Sequence, residues 1–309
     1  MVVLRRSFLI TVGLLIAMLA SSCAGSSQSA PPSSGSSSTP KDHFNAPGNI
    51  LISDQFNNRV VEVAPDGHVV WTFGSGNPKL CNPGPGSIIG LNDAERLSGG
   101  LTLLAGTGVP AGSASYPKGC NDNRVIVVNQ QGQIVWQYGQ AGVTGSGPNE
   151  LNVPVFAIQL PSRNIMVVDQ ANNRVIEITR DGTIMWQYDQ GLSAAAFASR
   201  LPNGDTLIAD SSHSRILEVT PNKRIVFEYF TNTDTGSNSA PLPTNAVQLA
   251  DGSIIIADQF NHRVIIVNPK GFEYGTINVA GNGAGQLNGP YTAYVVGDYT
   301  GQTPPPATF

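Results

Sequence analysis

The chain has 309 residues, of which 12% are charged, with 17 Lys and Arg against 21 Asp and Glu. After residue 23 the balance is 15 basic against 21 acidic residues, a formal charge of -6, and no basic run stands out. Binding to nucleic acid rests on neutralising phosphates, so that class of partner is excluded.

Arg5 and Arg6 precede an apolar run, Ser7 to Leu19, far shorter than the roughly 20 residues of a membrane-spanning helix. This reads as an export signal. It ends in "LASSC", which resembles the lipobox of bacterial lipoprotein precursors. The resemblance implies a diacylglyceryl group on Cys23 and attachment to a bacterial membrane; the alternative is plain secretion. Residues 24–43 carry no apolar side chain larger than Ala or Pro and cannot offset the entropy of ordering, so they read as a flexible tether. Residues 44–301 are an ordinary length for a single all-β domain, and a Pro-rich tail, 302–309, follows. Cys81 and Cys120 lie in an exported chain, where disulfides persist, and are expected to pair.

From Ile50 onward one unit recurs. Arg59, Arg124, Arg174, Arg215 and Arg263 each open a β-forming run: "RVVEV", "RVIVV", "RVIEI", "RILEV" and "RVIIV". A turn follows at Asp66-Gly67, Gln131-Gly132, Asp181-Gly182, Asn222-Lys223 and Lys270-Gly271, pairs suited to the positive φ of tight hairpins. Twelve residues after the first three arginines stand Trp71, Trp136 and Trp186, with Phe227 in the fourth copy. Phe73, Tyr138, Tyr188 and Tyr229 come two residues later, on the same strand face.

Before each Arg lies a second apolar strand ending in Asp or Gly: "NILISD", "LTLLAG", "NIMVVD", "DTLIAD", "SIIIAD". Four copies add an inner strand built on Ala: "DAERLSGG", "FAIQLPS", "FASRLPNG", "NAVQLADG". The first copy lacks it, and "TAYVVGD" from Thr292 supplies the missing piece at the other end of the chain. Four antiparallel strands repeating at roughly 40–50 residues are the period of a β-propeller blade. The expectation is an all-β propeller of five blades, with six as the alternative, closed by a C-terminal inner strand. "DQFNNR" at Asp54 and "DQFNHR" at Asp258 are then the same corner of two blades that meet at the closure.

"DQFNNRVVEVAPDGHVVWTFG" and "DQANNRVIEITRDGTIMWQYD" resemble the NHL-repeat family, as do "LNVP" at Leu151 and "LNGP" at Leu287. The resemblance covers 44 to about 301 and implies a propeller; NHL propellers usually have six blades, and five are found here. It also implies a binding or scaffold module for a protein, peptide or glycan, with a monomer expected. The rival it implies is a propeller enzyme: a lyase with histidine-bound zinc, a lactonase with calcium, or an arylsulfotransferase, the last suggested by "DGHVVWTF".

A feature present in nearly every blade serves the blade, so Asp54, Asp169, Asp210, Asp258 and their arginines read as scaffold. In the second copy Gly119 stands where alignment on the Arg puts the Asp, and Cys120 follows it. Function is sought where copies differ on the loop-rich face: Asp93, Arg96, Asp122, Phe156, Phe197, His213, Asn245 and His262. No cofactor is expected. Zinc or calcium would need His213 and His262 plus a third ligand, with Asp122, Asp93 or His68 as candidates, although His68 belongs to the opposite face.

Overall fold

A computed structural model describes residues 43–112, 116–277, 280–295 and 298. The export signal, Cys23, almost all of the tether, and the tail lie outside them. Among the described residues all regular structure is β apart from short 3₁₀ turns. The first sheet contains β1 (Ile50–Asp54), β2 (Arg59–Val63) and β3 (Val69–Gly74). The second contains β4 (Leu91–Leu97), β5 (Leu101–Gly106), β6 (Arg124–Val128) and β7 (Ile134–Tyr138). The third contains β8 (Pro154–Gln159), β9 (Ile165–Asp169), β10 (Arg174–Ile178) and β11 (Ile184–Tyr188). The fourth contains β12 (Phe197–Arg200), β13 (Thr206–Asp210), β14 (Arg215–Val219) and β15 (Ile225–Phe230). The fifth contains β16 (Pro243–Gln248), β17 (Ile254–Asp258), β18 (Arg263–Val267) and β19 (Glu273–Ile277). Each is an antiparallel meander and one blade, so the five-blade propeller is borne out.

The repeated residues explain how blades join. Each indole reaches the third-to-fourth-strand turn of the next blade: Trp71 donates to Gln130 O at 2.9 Å, Trp136 to Arg180 O at 2.9 Å and Trp186 to Pro221 O at 3.0 Å. These aromatics thus carry a polar handle to a fixed acceptor. Arg96 donates to Glu62 at 2.6 Å while lying 4.2 Å over Phe44 and 4.9 Å over Trp71. Arg200 repeats this with Glu177 at 2.7 Å and Trp186 at 4.9 Å. The same inner-strand position therefore clamps blade 1 to blade 2 and blade 3 to blade 4.

At each corner the residue before the Arg is left-handed: Asn58, Asn123, Asn173, Ser214 and His262 have φ between 52° and 57°. Asn tolerates this region best among residues with a Cβ, which accounts for its recurrence. Its side chain also holds the crossover into the next blade, since Asn58, Asn123 and Asn173 accept from the amides of Gly90, Val153 and Ala194 at 2.9 Å.

The closing segment takes the inner-strand place after β16. Ala293 N donates to Asn245 Oδ1 as Ala157 N does to Asp93 Oδ2, and Thr244 Oγ1 donates to Tyr291 O. Among the described residues no ladder joins Thr292–Val295 to β1, whose Ile50 and Ile52 are exposed; Val296 lies outside them. The corner of blade 1 reflects this. The side chains of Asp54 and Arg59 are 26% and 40% exposed, against 0% and 7% for Asp169 and Arg174, whose crossover loop covers them.

Candidate functional site

The corner pairs prove to be scaffold. Asp54, Asp169, Asp210 and Asp258 each accept from the Nε of their Arg at 2.6–2.7 Å. In blade 2 the ladder partner of Arg124 is Gly106, not Gly119, and Asp122 supplies the missing carboxylate. A Cβ on Gly106 would stand 2.8 Å from Asp122 Cγ, so the Asp122 side chain fills the space that an Asp at 106 would take. Asp122 also accepts from Ile89 N at 2.6 Å, while Arg124 Nη2 donates to Ser87 O at 3.0 Å. Burial pushes the Asp122 carboxyl up, opposed by Arg124. The disulfide between Cys81 and Cys120 ties the same loop, as expected.

Four of the predicted ligand-face residues take part in contacts of the scaffold. Asp122 is spent on Arg124, and Arg96 on Glu62, Thr102, Phe44 and Trp71. His262 accepts from Gly289 N through Nδ1 at 3.0 Å, doing what Asn does in other blades. His213 places Nδ1 2.9 Å from Asp210 Oδ2, inside its own corner. His68 meets Asp66 at the opposite turn. Among the described residues no three His, Cys, Asp or Glu side chains gather as a metal site.

The remaining predicted residues stand on the inner strands of blades 2 to 5. Asp93, Phe156, Phe197 and Asn245 share one ladder position, opposite Ala105, Val168, Ala209 and Ala257. Glu95 and Ser199 stand two residues on, opposite Leu103 and Leu207. An inner strand pairs along one edge only, so its free edge faces the axis. The side chains of Asp93 and Glu95 cross to that edge of β8, accepting from Ala157 N at 3.3 Å and Gln159 N at 3.0 Å. Both are only partly buried by solvent contact, yet protein atoms crowd them, and desolvation pushes their carboxyls up to about 7 and about 8. Phe156 and Phe197 lie with ring centroids 4.6 Å apart. Tyr294, which sequence reasoning missed as a site residue, comes close enough to Asp93 and Asn245 for both to perturb its hydroxyl; burial is the largest cause that raises it. Glu95 Oε1 and Ser199 Oγ are buried without a protein partner, while the Asn245 amide lies beside the Tyr294 hydroxyl as a hydrogen-bond donor would.

A second feature lies on the loop-rich face. Phe56 and Phe260 occupy the same place in the corners of blades 1 and 5 and are 68% and 46% exposed; Tyr291 in the following crossover is exposed as well. Blades 3 and 4 have Ala171 and Ser212 there.

Comparison with known proteins agrees with this architecture. A streptogramin B lyase structure matches at 14% identity and TM-score 0.53, over 74% of this chain and 64% of that one. A virginiamycin B lyase from Staphylococcus aureus matches at 15% and 0.52, over 75% and 66%. A protein of unknown function from Bacteroides caccae matches at 15% and 0.53, over 76% of each. This chain thus spans just under two thirds of the lyases, and identities this low show the fold alone. No curated protein matches by sequence. The shared feature with the NHL reading is the propeller, for the family model that matches, over residues 57–284, is another one. The chain belongs to the family described as outer membrane protein assembly factor BamB.

Proposed function

We propose that this protein is an extracytoplasmic, lipid-anchored propeller whose loop-rich face docks a protein partner. The observation that carries the reading is the pair of exposed phenylalanines, Phe56 and Phe260, at matching corners of blades that meet at the closure. Burying a Phe side chain contributes roughly 1.5–3 kcal/mol, and interfaces draw most of their affinity from a few such anchors. The family description, an assembly factor for proteins, supports a protein over a small substrate. The sequence "LASSC" supports an anchor at Cys23. The reading as a metal-dependent lyase or lactonase has no comparable support, because among the described residues no three His, Cys, Asp or Glu side chains gather as a metal site.

The test is chemical crosslinking in cells, comparing the native protein with the Phe56→Ser/Phe260→Ser double variant. The expected result is one partner band that the double variant loses while its thermal unfolding stays unchanged. An identical crosslinking pattern from both proteins would refute docking at this face.

A further inference from the structure

The blades do not all pack on one another alike. Apolar clusters join blades 1 and 2, 2 and 3, 3 and 4, and 4 and 5, but among the described residues none joins blade 5 to blade 1. Both walls of that seam are apolar. Ile52 is 41% exposed, whereas Leu104, Val167, Ile208 and Ile256 hold the same ladder position in the other blades and are buried against the preceding blade. On the facing wall Ile277 is 55% exposed at the place of Phe73, Tyr138, Tyr188 and Tyr229, all buried against the following blade.

The stitch that fastens other seams is missing here as well. Gly275 stands where Trp71, Trp136 and Trp186 reach the turn of the next blade. The closing segment goes with blade 5, since Ala293 and Val295 pack on its apolar cluster while no described ladder ties them to β1. Two apolar walls without a stitch favour contact through burial alone, so this seam is weaker than the others. What covers each wall is given by the packed seams, where the same ladder positions meet between consecutive blades. We propose that the ring works as a latch: blade 1 closes onto blade 5 and its closing segment, and closure assembles the docking face by setting Phe56 and Phe260 at adjacent corners. The second half rests on the docking reading above; the first does not. A partner that spans both rings binds the closed form more tightly and shifts the population by that difference.

The experiment is pulsed electron paramagnetic resonance on the processed protein with spin labels on Asp66→Cys and Lys270→Cys, exposed positions in matching turns of blades 1 and 5. Labels on Gln131→Cys and Asp181→Cys, across the packed seam of blades 2 and 3, give the reference distance. The seam pair should show the reference distance and a longer one. Gly275→Trp should roughly double the closed fraction, since a Cβ there meets nothing nearer than 3.5 Å and the indole restores the stitch. Ile52→Asp should roughly halve it by placing a charge on an apolar wall. The reference distance should persist in both variants, which shows that each still folds. A single seam distance that neither substitution moves would overturn the latch, whether that distance is short or long. Crosslinking in cells then reads the link to docking: the partner band should rise in Gly275→Trp and fall in Ile52→Asp, neither of which alters Phe56 or Phe260. A band that ignores a working latch would overturn the link, while a band that survives Phe56→Ser/Phe260→Ser would refute the docking reading and leave the latch standing.

Discussion

Replacing Asp122 by Ala should be among the most damaging single changes in the propeller, although repeat alignment places the residue in a variable corner. Its carboxylate faces Arg124, whose side chain is 1% exposed, and takes the Ile89 amide at 2.6 Å. Removing it leaves a guanidinium whose remaining acceptors are the neutral carbonyls of Gly84 and Ser87, and strands the amide. Breaking a buried pair from one side costs about 3–5 kcal/mol. The exposed pair Asp54–Arg59 provides the internal control, since Asp54→Ala should cost no more than about 1 kcal/mol.

The assay is thermal unfolding followed by tryptophan fluorescence with the disulfide intact. At roughly 2–4 °C per kcal/mol, Asp122→Ala should lower Tm by about 6–20 °C. Adding Gly106→Asp to that variant should recover much of the loss by restoring the carboxylate from the ladder position the other blades use. Truncating the Asp122 side chain vacates the space, and the other close atom, Ile88 Cδ1, is the free end of a side chain. Gly106→Asp alone should destabilise, because two carboxyls would contest one place. Equal costs for Asp54→Ala and Asp122→Ala would refute the reasoning.

Stability should also fall as pH rises from about 4 to about 8. The folded-state carboxyls of Asp93 and Glu95 are raised, so the folded protein holds protons that the unfolded chain has already lost, through Asp93 up to about pH 7 and through Glu95 up to about pH 8. Denaturant midpoints for Asp93→Asn/Glu95→Gln should show a flatter profile; an unchanged slope would place the effect elsewhere. The closing strand should pair with β1 in the register of blade 3, where Ala157 lies opposite Val167. That register sets Ala293 opposite Ile52, so an Ala293→Cys/Ile52→Cys variant should form a second disulfide on oxidation, read by mobility on a non-reducing gel. Failure to crosslink under conditions that preserve the fold would mean β1 takes its inner partner from elsewhere.

Strands, corners and aromatic stitches are legible in the sequence because each repeats, and a period of two fixes which side chains share a face. The fifth blade's last strand lacks the aromatic pattern, yet β19 forms, held by its ladder to β18. Asp122 escapes such a reading because alignment on the Arg compares residues along the chain, whereas the carboxylate is replaced across the hairpin, from Gly106 to Asp122. Arg96 reads as ligand-facing although Arg200 repeats its place. Its partners Glu62, Phe44 and Trp71 come from the preceding blade or the chain leading into it, a contact that no local window contains. His262 looks like chemistry and is a left-handed residue accepting one amide.

These cases separate two ways in which a repeat can break. One break is compensated: Gly106 loses a carboxylate and Asp122 returns it, His262 replaces Asn and still holds its crossover amide, and the scaffold is restored with every group paired. A proline can break the pattern too. Pro241 stands where Asn152 and Ser193 give their amides to the corner Asp, and Asp258 Oδ1 is consequently left without a donor. The other kind has no structural compensation. Phe56 and Phe260 expose rings where blades 3 and 4 place Ala171 and Ser212. Only uncompensated breaks that face an accessible surface offer a partner free energy that the fold has not already used. By that criterion the proposed docking rests on the phenylalanine corners and not on the acid–base corners that dominate the sequence.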